Sequence, residues 1–198
     1  MLGAWWWSGV SVAKMTEAFL TSDSQTWATP WSFMDFMKEI HGWQFTLDVC
    51  AMPTSRKAPL FYTEEKDSFK QNWGLDAAGG DAWCNPPYAE YMGKSVGDWA
   101  QKAWSYRGTL NSALLLPCNK TDQDWYHDLV VPDGQYQPVR GRIQFVDPVT
   151  GLRPPGSGSN SQGSMVCAFG PRFQGPMAPK PLNYREWKKR YKEGNVIC

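Results

Sequence analysis

The chain has 198 residues, of which 42% are hydrophobic and 20% are charged, so we expect one globular unit and exclude a wholly disordered chain. Twenty Lys and Arg residues nearly balance nineteen Asp and Glu residues, and this formal charge of +1 indicates no particular partner. No apolar run approaches the ~18 residues of a membrane-spanning helix.

The first predicted elements alternate between helix and strand. Residues 1–24 start with an apolar cluster that is too short for an anchor and follows no basic residue, so we expect a leader rather than a signal peptide. Residues 31–40 place apolar side chains at helical spacing. Residues 43–50 are a short apolar run typical of a buried strand, and residues 81–84 predict a second strand that ends at a Pro-Pro turn.

The second half continues this alternation. Residues 91–104 and 121–131 predict helices, and residues 109–118 are the most hydrophobic predicted strand. Residues 142–147 and 164–170 predict two late strands. Continuous apolar strands separated by helices indicate an α/β domain, with a mostly parallel sheet flanked by helices.

Two segments have an unusual composition. Residues 148–164 contain four Gly, three Pro and four Ser, and we expect a mobile loop that is either a plain linker or a substrate contact. Residues 176–198 predict a basic C-terminal helix or tail after a main domain over residues 25–175. The chain after residue 100 contains thirteen Lys and Arg residues and seven Asp and Glu residues. This excess of positive charge favours contact with a polyanion.

Cysteine and histidine spacing excludes several site types. The five cysteines form no C-x-x-C pair, and the two histidines, His41 and His127, are 86 positions apart. Common zinc motifs and thioredoxin-like motifs are therefore excluded, and we expect no metal. Five scattered cysteines are more typical of a reducing cytoplasm than of a disulfide scaffold.

The sharpest local signal is the run CNPPY, residues 84–88, directly after a predicted strand. Pro86 and Pro87 lack an N–H and have a fixed φ, so they hold a rigid turn. The side-chain oxygen of Asn85 and nearby carbonyl oxygens are then hydrogen-bond acceptors at the end of a strand, where open α/β sheets bind ligands. Tyr88 adds a ring for stacking, so the turn fits a planar base that carries an amine.

Such a turn can activate an aromatic amine without a strong base. The lone pair of the amine is delocalised into the ring, which makes the nitrogen a poor nucleophile. Two accepted hydrogen bonds localise that lone pair, so the nitrogen can attack a well-positioned methyl sulfonium.

Several motifs together resemble a known family. In chain order they are WATPWSFMDFM (27–37), TLDVCA (46–51), YTEEKDSF (62–69), WCNPPY (83–88), LLLP (114–117) and RGRIQF (140–145). This set resembles the phage-type, Dam-like DNA N-6-adenine methyltransferases. The resemblance implies a Rossmann-like class I methyltransferase fold and methyl transfer from S-adenosyl-L-methionine to the N-6 amine of adenine in double-stranded DNA. It also implies extrusion of the target base, no membrane partner, and a location in the cytoplasm of a bacterial host.

The resemblance also implies roles for particular residues. The catalytic motif would be Asn85, Pro86, Pro87 and Tyr88. The cofactor-binding residues would be Thr29, Pro30, Asp48, Ala51, Asp67 and Phe69, with either Glu64 or Glu65 on the ribose. Arg140 and Arg142 match the G-R-x-x-F element of the family, and the candidate nucleic-acid contacts are Lys120, Arg140, Arg142 and Arg153.

One departure from the family pattern keeps alternatives open. The Gly-rich turn F-x-G-x-G that follows the first strand in typical methyltransferases is replaced by residues 48–53, so the cofactor loop must have another shape. Asp48 and Asp67 are also plausible helix caps. The alternative functions are an amino-methyltransferase of RNA or of protein glutamine, and a DNA-binding module with a degenerate catalytic pocket.

Overall fold

The computed structural model describes residues 27–153, 162–173 and 183–194, with side chains described as far as residue 190. The expected leader, residues 1–24, lies outside these ranges. The expected mobile loop, residues 148–164, and the expected tail, residues 176–198, fall only partly within them.

Six strands form one sheet. Their bounds are Phe45–Asp48 (β1), Leu60–Phe61 (β2), Asp81–Cys84 (β3), Ser112–Pro117 (β4), Gln135–Pro138 (β5) and Ser164–Phe169 (β6). The strand order is β2-β1-β3-β4-β6-β5. The neighbouring pairs from β2 to β4 are parallel, whereas β6 runs antiparallel to both β4 and β5. The predicted α/β architecture with a mostly parallel sheet is confirmed.

Helices connect and flank these strands in the described ranges. The α-helices are Trp31–His41 (α1), Trp73–Asp76 (α2), Val96–Ser105 (α3), Val131–Asp133 (α4) and Tyr184–Gly194 (α5). A π-helical turn, Tyr126–Val130, leads into α4. The short 3₁₀ turns are Ser68–Lys70, Cys118–Lys120 and Pro171–Phe173.

The hydrophobic core lies on both faces of the sheet. Along β4, Leu114 and Leu116 pack in a cluster with α3, while Ala113 and Leu115 pack in a second cluster with α1 and α5. Successive strand residues face opposite sides, so these two clusters sandwich the sheet. This double burial explains why β4 is apolar at almost every position, and each buried leucine contributes about 1.5–3 kcal/mol.

Helix α3 starts later than the sequence pattern suggested. The Ser95 hydroxyl accepts a hydrogen bond from the backbone N–H of Asp98, and the Asp98 carboxylate accepts one from the backbone N–H of Ser95. This capping box begins the helix at Val96. Tyr91 and Lys94 form an isolated bridge just before it, in a tight turn that follows the CNPPY run.

Two predicted elements differ from the structure. Residues 142–147 do not form a strand; only Val146 pairs, through two backbone hydrogen bonds to Ala28 at 2.9 and 3.0 Å. The apolar pattern of this segment instead places Ile143 in the core beside α1 and α5. The predicted helix over residues 121–131 begins at residue 124 and takes π-helical form before α4.

Candidate active site

Two parallel strands bring the predicted site residues to one edge of the sheet. The register pairs Asp48, the last residue of β1, with Trp83 in β3, so Asn85 follows directly beyond the same edge. A cavity of about 460 Å³ opens there, within the usual range for small-molecule sites. Its lining residues are drawn from four segments, 27–29, 48–57, 62–70 and 83–94, together with Trp99, and not every residue of these segments reaches the cavity.

Asn85 lies on the wall of this cavity with a fixed side chain. Its Nδ2 donates a hydrogen bond to the backbone carbonyl of Trp27 at 3.1 Å. That bond fixes which way the amide faces, and in the described part of the chain Oδ1 makes no hydrogen bond of its own. Pro87 lines the cavity beside it, whereas Pro86 is buried behind the wall. The turn therefore presents a free acceptor oxygen at the cavity.

Tyr88, like Pro86, does not line the cavity. Its ring packs edge-on against Phe145 at a centroid distance of 6.3 Å. Its hydroxyl is buried without a hydrogen-bond partner among the described residues, and burial raises the pKa of the phenol. An unsatisfied buried hydroxyl costs about 1–3 kcal/mol, so the Tyr88 hydroxyl would be stabilised by a hydrogen-bond partner.

The Asp48 carboxylate orders the loop that replaces the Gly-rich turn of the family pattern. Its Oδ1 accepts from the backbone N–H of Cys50 at 3.2 Å, and its Oδ2 accepts from the backbone N–H of Lys57 at 2.8 Å. These two bonds close residues 49–57 into a compact loop beside the cavity. Burial raises the pKa of Asp48 to about 7, although the two N–H groups and the charge of Lys57 oppose this shift.

Lys57 is a cavity-lining cation that the sequence analysis missed. Lys57 is only 9% exposed, and its ammonium group lies 4.5 Å from the centroid of the Trp31 ring. Burial lowers the pKa of Lys57, while the nearby Asp48 charge raises it. Nothing in the local sequence distinguishes this lysine from the adjacent Arg56, because its burial follows from the loop closure by Asp48.

Asp67 and Phe69 also line the cavity. Asp67 has a φ of +45°, which is unusual for a residue other than glycine, and its carboxylate accepts from the backbone N–H of Phe69 at 3.1 Å. It also pairs with Lys70 at 3.1 Å, and these interactions lower the pKa of Asp67. The Phe69 ring packs edge-on against Trp99 at 4.6 Å. Phe69 therefore gives the cavity wall a fixed aromatic group.

Both glutamates considered for the ribose line the cavity. Glu64 Oε2 accepts a hydrogen bond from the Tyr91 hydroxyl at 2.8 Å, and this bond raises the pKa of Tyr91. Glu65 also lines the cavity and makes no hydrogen bond within the described ranges. Both carboxylates are therefore positioned at the cavity, where either could contact a ribose.

Of the three remaining predicted cofactor-binding residues, two line the cavity and one does not. Thr29 lines the cavity, is 1% exposed, and its buried Oγ1 has no hydrogen-bond partner within the described ranges. Ala51 also lines it and donates its backbone N–H to the carbonyl of Tyr62 at 3.0 Å. Pro30 does not line the cavity; it precedes α1, and its carbonyl accepts from the N–H of Phe33.

The predicted nucleic-acid contacts lie away from the cavity. Arg140, Arg142 and Arg153 are exposed and Lys120 is half-buried. Arg142 lines a second, shallower groove of about 240 Å³. The remaining residues of that groove, which the sequence analysis did not single out as contacts, are Gly141, Tyr184, Arg185, Lys188 and Lys189.

A close backbone approach joins this groove to α5. The backbone N–H of Arg185 donates to the carbonyl of Arg140 at 3.0 Å. Gly141 has a φ of +115°, and a Cβ at this position would lie 3.0 Å from the Cβ of Arg185. Glycine is therefore required for the RGR turn to sit against the helix. We call the resulting surface, formed by Arg142, Arg185, Lys188 and Lys189, the basic groove.

Neither a membrane span nor a metal cluster is found in the part of the chain that the structure describes. None of its helices has the length and apolar character needed to cross a membrane. None of its groups of three or more His, Cys, Asp or Glu residues could hold a metal ion.

Comparison with known proteins identifies a family and a similar protein. Residues 17–196 match the family model described as DNA N-6-adenine-methyltransferase (Dam). The chain is also similar to a DNA N-6-adenine-methyltransferase of Escherichia phage T1, with 23% identity over 156 residues. That alignment covers 71% of this chain and 60% of the relative, so the chain matches less than two thirds of the length of the relative.

Proposed function

The chain belongs to the DNA N-6-adenine-methyltransferase family, and we propose that it moves a methyl group from S-adenosyl-L-methionine to the N-6 amine of a specific adenine in double-stranded DNA. The observation that carries this proposal is the Asn85 side chain. Its amide nitrogen is held by the carbonyl of Trp27, so its oxygen remains available as an acceptor on the wall of the cavity.

The cavity suits the proposed cofactor. S-adenosyl-L-methionine combines a flat adenine, a ribose with two hydroxyls and a charged amino-acid end. Phe69 offers an aromatic wall, Glu64 and Glu65 offer acceptors for the ribose hydroxyls, and Asp48 offers a carboxylate for a cationic group. The unsatisfied Oγ1 of Thr29 supports the presence of a ligand in this cavity, because a buried hydroxyl without a partner is costly.

Within this site the chain would act mainly by positioning. When bound, the cofactor supplies a methyl group on a cationic sulfur. Asn85 Oδ1 and a backbone carbonyl of the Pro86-Pro87 turn would accept the two N–H groups of the adenine amine. These bonds would orient the amine and localise its lone pair for attack on the methyl carbon. The C–N bond would form as the sulfur leaves with the C–S electron pair, and the nitrogen would release one proton to solvent.

Tyr88 would have a role different from that of Asn85, because it lies outside the cavity wall. The adenine amine is paired inside a duplex, so the target base must be extruded to reach Asn85. We propose that the extruded base stacks on Tyr88 and that its arrival gives the buried hydroxyl a partner. The contact between Tyr88 and Phe145 supports this role, since it connects the catalytic turn to the segment that carries Arg142.

The fold supports the same assignment. Four neighbouring strands, β2-β1-β3-β4, run parallel, and the antiparallel strand β6 lies between β4 and β5. The cavity lies beyond the carboxyl ends of β1 and β3, where doubly wound sheets bind their ligands. We therefore propose a Rossmann-like class I methyltransferase domain over residues 25–175, with α5 packed against it through Tyr184 and Trp187.

The basic groove is the proposed contact with the DNA backbone. Its side chains carry positive charge, and its cations come from two separate parts of the chain held together at Gly141. Phosphate contacts by Lys and Arg supply most of the sequence-independent affinity for DNA. We propose Lys120, Arg140 and Arg153 as further contacts, and a DNA substrate in turn favours a cytoplasmic location in a bacterial host.

Methyl transfer to three substrates tests the proposal. Purified chain is incubated with S-adenosyl-L-methionine labelled on its methyl group and with unmethylated duplex DNA, RNA of the same sequence, or host protein. We expect label in the DNA alone. Label in RNA or in protein glutamine would support the other amino-methyltransferases, and DNA binding without any transfer would support a degenerate pocket.

A further inference from the structure

An ammonium group on the cavity wall has no role in the proposed transfer step. Lys57 is 9% exposed, and its side chain lines the cavity rather than the outer surface. Among the described residues its Nζ makes no hydrogen bond or ion pair; its described contact is the face of the Trp31 ring at 4.5 Å. A buried charge is normally paired, because desolvating an ion without a partner is expensive.

The position of Lys57 is fixed from both ends. Its backbone N–H donates to Asp48 Oδ2 at 2.8 Å, so the residue cannot leave the loop without breaking that bond. At the other end the Trp31 ring holds the ammonium through a cation–π contact. A lysine that was merely solvated would need neither constraint. The side chain of this cavity-lining lysine is therefore held in a defined position.

We propose that Lys57, positioned by the Trp31 ring, forms a carboxylate subsite, which takes the α-carboxylate of the amino-acid end of S-adenosyl-L-methionine. This inference rests on the proposed function and adds to it a binding residue with a stated ligand group. Asp48, on the same wall, provides the complementary negative charge for the neighbouring amino group.

The pairing of charges favours a zwitterion over a phosphate. An α-amino acid carries one positive and one negative group on the same carbon, and the wall offers Asp48 and Lys57 in the same loop. A DNA phosphate would bring only negative charge and would be repelled by the Asp48 carboxylate. It would also have to reach a lysine that is nine-tenths buried.

Binding of two ligands that differ only in the carboxylate tests the subsite. S-adenosyl-L-homocysteine keeps the group, and its decarboxylated analogue, S-adenosyl-3-thiopropylamine, lacks it. Calorimetric titration of the full chain should show about 10- to 100-fold tighter binding of the carboxylate-bearing ligand, as expected for one charged hydrogen-bonded pair. Lys57→Met should abolish this preference and leave the affinity for the decarboxylated ligand unchanged within a few fold.

Two further variants serve as controls. Lys57→Arg keeps the positive charge and should retain most of the preference. Lys70→Met removes another cavity-lining lysine, whose side chain is 80% exposed and paired with Asp67, and it should keep the full preference.

Other outcomes would overturn the subsite. Equal binding of both ligands by the unmutated chain would do so even if Lys57→Met did not fold. If Lys57→Met lowers the affinity for both ligands equally, the substitution has only changed the shape of the cavity, and the subsite is refuted. The subsite is also refuted if Lys57→Met loses affinity for duplex DNA and keeps its affinity for the carboxylate-bearing ligand. An unmutated chain that binds neither ligand would refute the proposed function as well.

Discussion

Binding of the cofactor product should depend on pH through Asp48. Burial raises the pKa of this carboxyl to about 7, so much of it is neutral at pH values below 7 in the free protein. A ligand with a cationic amino group favours the ionised form. The ionised fraction falls from about 0.76 at pH 7.5 to about 0.03 at pH 5.5, so affinity for S-adenosyl-L-homocysteine should fall by about 25-fold at most. An ordinary α-amino group, with a pKa of about 7.7–8.0, is more than half protonated at pH 7.5 and almost fully protonated at pH 5.5.

The stability of the free protein should change in the opposite direction. The folded chain holds the Asp48 proton more tightly than the unfolded chain between pH about 3.8 and about 7. Stability from this group is therefore complete below that window and is lost as the pH rises through it. The difference between the two pKa values corresponds to roughly 4 kcal/mol as an upper limit.

Calorimetry and urea unfolding at pH 5.5 and 7.5 measure both effects. Asp48→Asn is the matched variant, because it keeps the shape of the side chain and cannot titrate. We expect its ligand affinity and its unfolding free energy to lose most of their pH dependence. If Asp48→Asn has the same two pH profiles as the unmutated chain, Asp48 is not the group that titrates.

Three further predictions concern the turn and the basic groove. Asn85→Ala should lower methyl transfer by about 10²–10³-fold and leave S-adenosyl-L-homocysteine affinity within a few fold; an equal loss in both would indicate a structural role. Replacing Arg142 and Arg185 by Gln should reduce the slope of log K for DNA against log salt by about 0.9 per lost phosphate contact, whereas Lys38→Gln, on α1, should leave it unchanged. Gly141→Ala should destabilise the fold by about 1–3 kcal/mol in urea unfolding, because its φ of +115° and the nearby Arg185 Cβ oppose a side chain; an unchanged midpoint would contradict this.

The interior strands could be predicted because burial on both faces leaves a continuous apolar run. This holds for β4 and β6, whose residues are all buried. The edge strand β5 was missed because its buried positions are Gln135 and Gln137, which give no hydrophobic signal. The false strand over residues 142–147 arose because Ile143 packs in the core and Phe145 packs on Tyr88, so the segment is apolar although its backbone does not join the sheet.

The candidate site shows the same division between local and long-range information. Motif resemblance singled out Asp48, Asp67 and Asn85, and the parallel strands bring all three to one cavity. It could not identify Lys57, since the burial of that lysine depends on a loop closed by Asp48 and on a ring from α1. Nor could it reveal that Tyr88 packs on Phe145 outside the cavity wall, because that contact joins residues 57 positions apart.

Analysis of nucleosides from treated DNA is the most direct test of the central claim. Unmethylated duplex DNA is incubated with the purified chain and S-adenosyl-L-methionine, digested to nucleosides and examined by mass spectrometry. We expect N6-methyldeoxyadenosine as the new methylated nucleoside, formed about 10²–10³-fold more slowly by Asn85→Ala. Methylcytosine in its place, or formation of methyladenine by Asn85→Ala at the unmutated rate, would contradict this claim.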